Sequence, residues 1–303
     1  MNRTSKILVI RLGALGDFIQ SFYPFAAIRQ YHAQDEITLL TTAPFVELAQ
    51  HSPWFNSVIV DDKPHKFNIV GRLKLQKKLQ GFDFVYDLQT SGRSSQYFKL
   101  AGKPRWSGIA KGSSHPHDNP NRNEMHTIDR QKDQLQRAGI TDFPEPDLSW
   151  LAAETGSIHK PYAILVPGCS IKRPEKRWPV EYYGEIAKLC VDQSIQPVVV
   201  GSHAEQALVE SIKKQCPQII SLIGQTTLLE LSAIMKKAKF ALGNDTGPMH
   251  LGAMVGCPSV VLFSSGSDPL LTAPRGRDVK IIYKENLKDL SVKKVAQALK
   301  WVH

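Results

Sequence analysis

The stretch Gly243-Asn244-Asp245-Thr246-Gly247-Pro248-Met249-His250 sets an acid, a hydroxyl, a proline and a histidine together between two apolar runs. It reads as the turn where a strand gives way to a helix. Pro248 suits a helix's first turn, and the free N–H groups of Thr246 and Gly247 at that helix start form a seat for a diphosphate. Asp245 can accept from sugar hydroxyls beside it. His250, one turn in, either donates to phosphate or anchors the turn as a structural histidine.

Three other stretches have the same character. Arg11-Leu12-Gly13-Ala14-Leu15-Gly16-Asp17 follows the first apolar run. Gly13 and Gly16 let the backbone approach a ligand, and the spacing is not the G-x-G-x-x-G of a dinucleotide site. Asp17 is either a helix-start acid or a general base. The helix dipole that favours its carboxylate also weakens it as a base unless burial opposes. Pro167-Gly168-Cys169-Ser170 leads into Lys172, Arg173, Lys176 and Arg177, a turn followed by cations that can hold phosphate, with Trp178-Pro179 pinning the chain just after Lys176. Gly201-Ser202-His203-Ala204-Glu205 brings a carboxylate to another strand end, where it can take ribose hydroxyls or simply begin a helix.

The elements that must position these loops alternate short apolar runs with amphipathic ones, the pattern of βαβ units feeding a parallel sheet. Strands are predicted at 7–10, 37–40, 58–60 and 82–88, with helices over 17–31, 73–79 and 94–101. After a breaker-rich linker from Asp142 to Pro161 the alternation restarts. Strands are expected at 163–166, 197–200, 219–222, 240–243 and 259–263, and helices over 180–193, 205–215, 228–237 and 248–255. Two successive α/β sheets imply a cleft between them, with ligands outside the carboxyl ends of the strands. The boundary falls at 155/156, giving domains 1–155 and 156–303. Residues 111–124 are polar and proline-interrupted and read as a mobile loop that could cover a substrate. His115 and His117 on such a loop make a poor metal site.

A chain of 303 residues, 42% hydrophobic and 22% charged, has the composition of a soluble two-domain enzyme and suggests neither disorder nor a membrane span. The first apolar segment is too short for a signal peptide, so a cytoplasmic location is expected. Cys169, Cys190, Cys216 and Cys257 are too scattered for a zinc site or a disulfide framework. The net charge of +10 favours an acidic partner. Lys63, Lys66, Arg72, Lys74, Lys77 and Lys78 cluster without interleaved aromatics, which fits a phosphate-rich or membrane-side target better than nucleic acid.

Together these motifs resemble those of the ADP-heptose:lipopolysaccharide heptosyltransferases, glycosyltransferase family 9. The resemblance rests on I-L-V-I-R-L-G-A-L-G-D at the start, Asp87-Leu88-Gln89 with Arg93-Ser94, His126 with Asp129-Arg130, P-G-C-S with K-R-W-P, and N-D-T-G-P-M-H. It implies two Rossmann-like domains facing across a cleft in the glycosyltransferase B arrangement, the first holding the acceptor and the second the nucleotide sugar. By position, Asp17 becomes the base for an inverting attack. Lys176, with the amides of Thr246 and Gly247, would stabilise the departing diphosphate. Glu205 would hold the ribose, the backbone around Thr226 the adenine, and Asp245 the sugar, with Ser170 and Lys172 in a more variable loop.

The expected activity is transfer of a heptose or related sugar from an ADP-sugar to an anionic inner-core lipopolysaccharide acceptor, with peripheral contact at the inner membrane. No D-x-D pair occurs in the sequence, so no metal and no cofactor are expected. A nucleotide-sugar epimerase is a second reading, separable because it needs no acceptor. A non-catalytic nucleotide- or RNA-binding protein is a third, and it predicts steeply salt-dependent binding.

Overall fold

The computed structural model of the chain describes residues 3–65, 67–153, 156, 158, 160–170, 172–299 and 301. Lys66 of the basic run and Glu154, Thr155, Ser157 and His159 of the expected linker lie outside them. The chain divides into two compact units, Met1–Trp150 and Leu151–His303. The first extends to Trp150 because that indole packs on Phe22 and Trp54, with ring centroids 5.8 and 5.4 Å apart.

In the first unit the strands are β1 (Lys6–Ile10), β2 (Glu36–Thr41), β3 (Ser57–Val60), β4 (Phe84–Asp87), β5 (Arg105–Gly108) and β6 (His115–Pro116). The helices are α1 (Leu15–Gln20), α2 (Phe22–Tyr31), α3 (Val46–His51), α4 (Ile69–Lys78), α5 (Gly92–Leu100) and α6 (Thr127–Arg137). Among the described residues the strands form one parallel sheet in the order β3-β2-β1-β4-β5-β6. The chain fills one side of β1 and then crosses to fill the other, so the strand order reverses between β1 and β4.

The second unit repeats the design with β7 (Tyr162–Val166), β8 (Gln196–Val199), β9 (Ile220–Ser221), β10 (Phe240–Asn244), β11 (Ser259–Phe263) and β12 (Val279–Tyr283). Its helices are α7 (Val180–Asp192), α8 (Gln206–Gln215), α9 (Leu228–Lys237), α10 (Gly247–Met254), α11 (Pro269–Thr272) and α12 (Val292–Ala296). The order is β12-β11-β10-β7-β8-β9, with the reversal between β7 and β10. Both central strands are buried along their whole length, Tyr-Ala-Ile-Leu-Val in β7 and Phe-Ala-Leu-Gly-Asn in β10. Continuous rather than alternating apolarity is what a parallel strand covered on both faces requires.

The structure corrects two expectations. A single helix was expected over 17–31, but the chain breaks at Ser21. Pro24 has no N–H for the Gln20 carbonyl and its ring crowds that group, while the Ser21 hydroxyl donates to Asp17 O at 2.9 Å. The predicted irregular loop over 111–124 contains β6, paired to β5 through Ser107–His115 and Gly108–Pro116. A two-residue edge pairing carries no periodicity to detect, and an edge tolerates proline. His117 is buried there and hydrogen-bonds Asp133 of α6 at 2.7 Å, so it is tied to the fold.

Candidate active site

In open parallel sheets the crevice for ligands opens where strand order reverses, at the carboxyl ends of the strands. In the second unit that place lies between the loops after β7 and β10. Asn244 ends β10 and is fully buried. Its Oδ1 accepts from the Trp178 amide at 3.0 Å and the Tyr183 hydroxyl at 3.2 Å, and its Nδ2 donates to the Pro167 carbonyl at 2.8 Å. One side chain thus fastens the β7 loop, the start of α7 and the end of β10 together.

On this support stands the polar cluster. Lys176 Nζ donates to Asp245 Oδ2 at 2.6 Å, and the Ser267 hydroxyl donates to the same oxygen at 2.7 Å. His250 Nε2 lies 3.8 Å from Asp245 Oδ1, an electrostatic neighbour rather than a hydrogen-bond partner, and its buried Nδ1 has no hydrogen bond. The Asp245 side chain is 7% exposed and that of Lys176 17%. Burial by itself would raise the Asp245 carboxyl. The neighbouring His250, the donors Lys176 and Ser267, and the Lys176 charge outweigh it and hold the group at about 2. Thr246 caps α10 with extended backbone and Pro248 follows in the first turn, so the helix opens beside this pair.

Glu205 takes the helix-start role, one of the two the sequence allowed. Its Oε2 accepts from the Ser202 amide at 2.8 Å and hydroxyl at 2.7 Å, which caps the helical turn ahead of α8. Its stem also lies against Gly168, where an added Cβ would sit 2.6 Å from Glu205 Cγ. The carboxylate therefore reaches from the β8 loop to the β7 loop. Ser170 is exposed on the β7 loop, and its carbonyl accepts from the Arg173 amide at 3.0 Å. Thr226 is half-buried beyond β9, next to Thr227, which caps α9. Across the sheet edge the order is Thr226 (β9), Glu205 (β8), Ser170 and Lys176 (β7), Asp245 (β10) and Ser267 (β11). Three strand spacings, roughly 14 Å, separate the β9 end from the β10 end.

In the first unit the reversal lies between the loops after β1 and β4. Arg11 immediately follows β1, is buried, and holds α1 in place. Its Nε and Nη2 donate to Asp17 O at 3.1 and 2.8 Å, its Nη1 donates to Leu88 O at 2.6 Å, and its Nη2 stands 3.3 Å from Asp17 Oδ1. Asp17 is a first-turn acid whose Oδ2 accepts from the Ala14 amide at 3.3 Å, yet its side chain is 44% exposed. Gln89 Oε1 accepts from the Leu12 amide at 2.8 Å, clamping the loop to the β4 end. Gly13 has φ +109°, and a Cβ there would lie 2.8 Å from Phe45, which stacks on Phe18 at 4.7 Å. Only glycine fits that turn. Gly16 sits half-buried within the first turn of α1.

A cavity of about 520 Å3 opens in this loop cluster, lined by Gly13, Ala14, Thr42, Gln89, Lys63 and Arg93 among others. Beneath it Asp87, the last residue of β4, is wholly buried, with Oδ1 taking the Thr90 amide at 3.0 Å and Oδ2 without a hydrogen bond. Burial pushes its carboxyl up to about 7 against the opposing pull of Ser94, Thr90, Gln89 and Arg11.

Arg11, Asn244, Gln89 and Ser267 were not singled out from sequence. Ser267 had a usable signal, since Ser264-Ser265-Gly266-Ser267 also follows an apolar strand. The others sit in strand ends or loops already noted, but the partners that tie them to other strand ends or helices lie 61 to 77 residues away along the chain.

The doubled sheet design is shared over almost the whole chain with solved glycosyltransferases. Superposition on a glycosyl transferase family 9 protein of Veillonella parvula gives a TM-score of 0.85 at 21% identity, covering 97% of this chain and 95% of that one. The structure of E. coli heptosyltransferase WaaC with ADP gives 0.79 at 18% identity, covering 96% and 98%. The fold is thus that of a glycosyltransferase of the B class. The family model described as glycosyltransferase family 9 (heptosyltransferase) matches residues 72–302, and the chain belongs to that family. Among curated relatives, the lipopolysaccharide core heptosyltransferase OpsX of Haemophilus influenzae is 26% identical over 309 aligned residues, 93% of this chain and 85% of that protein.

Proposed function

We propose that this glycosyltransferase moves a heptose, or a closely related sugar, from an ADP-sugar to an anionic inner-core lipopolysaccharide acceptor, with inversion and without a metal ion or cofactor. The observation that carries the reading is the order of groups along the second sheet edge. Thr226, Glu205, the Lys176 and α10 amide cluster, and Asp245 follow one another as base, ribose, diphosphate and sugar do in a nucleotide sugar. ADP as the nucleotide is supported by the likeness to WaaC with ADP, and the lipopolysaccharide acceptor by the relationship to OpsX.

In this reading the donor diphosphate draws Lys176 from Asp245, and the freed carboxylate takes sugar hydroxyls. His250 stays beside Asp245 and steadies it. The acceptor lies in the first unit near Gly13 and Gly16, with Lys63 and Arg93 meeting its negative groups. Asp17 removes the proton of the acceptor hydroxyl as its oxygen attacks the anomeric carbon from the face opposite the phosphate. The carbon–oxygen bond to the diphosphate breaks, and ADP leaves with the bonding pair. Its added charge is met by Lys176 and the Thr246 and Gly247 amides, fixed positive groups aimed where negative charge grows. Lys176 and the α10 dipole together supply the positive charge that a metal gives in other transferases.

No described helix is long and apolar enough to cross a membrane. The proposed enzyme works from the cytoplasm at the inner face of the inner membrane, and nucleic acid is not its partner. Three measurements test the reading. ADP-heptose should raise the melting temperature more than UDP- or GDP-sugars do, because a ligand of the native state stabilises it. Transfer to a deacylated core acceptor should invert the anomeric centre and persist with chelator. Asp17→Asn should abolish transfer while leaving ADP affinity nearly intact. Near-normal turnover in that variant would remove Asp17 from the mechanism, and preference for another nucleotide would overturn the donor.

A further inference from the structure

Four large apolar side chains stand in solvent within seven residues of one another: Phe67 is 77% exposed, Ile69 71%, Val70 64% and Leu73 54%. Helical geometry explains the arrangement on α4. Leu75 and Leu79 are buried in the sheet-side core. At about 100° per residue, Ile69, Leu73 and Val70 fall within roughly 100° of one another on the opposite face. A helix apolar on both faces is not explained by its own unit's core, and a contiguous exposed apolar patch marks a contact surface.

Charge identifies the contact. From Lys63 to Phe82 the sequence has no acid but six Lys and Arg residues. Lys74 and Lys77 are exposed on or beside the apolar face, and Arg72 is exposed on its other flank. Lys78 is half-buried, drawn to Asp62 at 3.6 Å and to Val60 O at 2.8 Å. Apolar side chains ringed by long cationic ones match the interface of an anionic bilayer, where the chains enter the acyl boundary and the cations stay among headgroup phosphates. The patch is also continuous with the acceptor side. Arg72 and Arg93 line one cavity of about 330 Å3, and Arg93 lines the larger cavity with Gly13 and Gln89.

We propose that the segment from Phe67 to Lys77 is the docking surface by which this enzyme lies on an anionic lipid bilayer, with Phe67, Ile69, Val70 and Leu73 inserted and Arg72, Lys74 and Lys77 on the headgroups. The proposal rests on the reading of a lipid-borne acceptor, and it places the cavity mouth at the surface that carries that lipid.

The test is co-sedimentation of the full chain with vesicles of phosphatidylethanolamine and phosphatidylglycerol, against vesicles of phosphatidylcholine alone. Binding is expected to the first and not the second, and to weaken as salt rises. The pairs Ile69→Ser with Leu73→Ser, and Lys74→Glu with Lys77→Glu, should each lower vesicle partition at least about tenfold. All four positions are exposed, and unchanged melting curves will verify that the variants are folded. No binding to the anionic vesicles, or binding indifferent to both pairs, overturns the proposal. So does a wild-type dimer that Leu73→Ser splits, which would make a second copy the occupant. Transfer to a deacylated acceptor separates the two readings. If it proceeds without vesicle binding, the docking surface is wrong and the transferase reading stands. Vesicle binding without any such transfer supports the surface and sinks the transferase reading.

Discussion

Lys176→Met exposes what the Lys176–Asp245 pair does, because the same cation is assigned to a buried carboxylate in the free enzyme and to the diphosphate in the complex. The 2.6 Å contact between side chains 17% and 7% exposed makes this close to a buried ion pair. Breaking such a pair strands the remaining charge, at a cost of about 3–5 kcal/mol when burial is complete. Partial exposure of Lys176 and the remaining donor Ser267 place the expected loss near the lower end, about 3 kcal/mol at neutral pH. For a unit of this size that is a fall of roughly 10 °C in melting temperature. Adding Asp245→Asn removes the stranded charge, so the double variant should recover most of the loss, with a coupling of at least about 2 kcal/mol.

Donor binding follows a different order across the same four proteins. Lys176→Met should weaken ADP by roughly 30-fold or more, since a charge-assisted hydrogen bond is lost and the Asp245 anion is left facing the phosphates. Asp245→Asn alone should tighten ADP by freeing Lys176. The double variant, stable again, should still bind ADP at least about tenfold more weakly than wild type. Calorimetric titration with ADP, beside thermal melts, gives both series. If the double variant binds ADP as wild type does, Lys176 serves only to neutralise Asp245, and its phosphate role is refuted.

The other buried groups yield their own tests. Asp245, held at about 2 against an ordinary 3.8, contributes stability present above about pH 4 and lost as pH falls toward about 2, roughly 2 kcal/mol in all; Asp245→Asn should flatten acid melting in that range. Asp87 has the opposite sign. Its native carboxyl at about 7 keeps a proton that the unfolded chain releases near 4, so its contribution falls as pH rises through that window, by on the order of 4 kcal/mol. Asp87→Asn should therefore gain stability relative to wild type between about pH 4 and about pH 7, and a constant difference across the window would count against a buried neutral acid. Asn244→Asp sets a carboxylate against the Pro167 carbonyl and should cost about 3 kcal/mol or more by urea denaturation. A loss under about 1 kcal/mol would mean that Asn244 does not fasten the loops as described.

The sequence by itself determined the α/β alternation, the doubling of the design and the four post-strand loops, because apolar runs, glycines and prolines act locally through period and backbone freedom. Each strand predicted in the second half is present within a residue or two of its expected limits. The weaker elements escaped for equally local reasons: β6 is two residues long, and α6 is dominated by polar side chains. Tertiary structure alone decided which loops become neighbours, since strand order is set by long-range pairing that no local pattern encodes. Placing β10 beside β7 brings Asp245 to Lys176 across 69 residues of chain and gives Asn244 its partners Trp178, Tyr183 and Pro167. Placing β4 beside β1 lets Arg11 and Gln89 hold the loop that presents Asp17. Burial was likewise invisible in the letters: it pushes the Asp87 carboxyl up to about 7, is overridden at Asp245 by neighbours that hold that carboxyl at about 2, and is absent on the apolar face of α4.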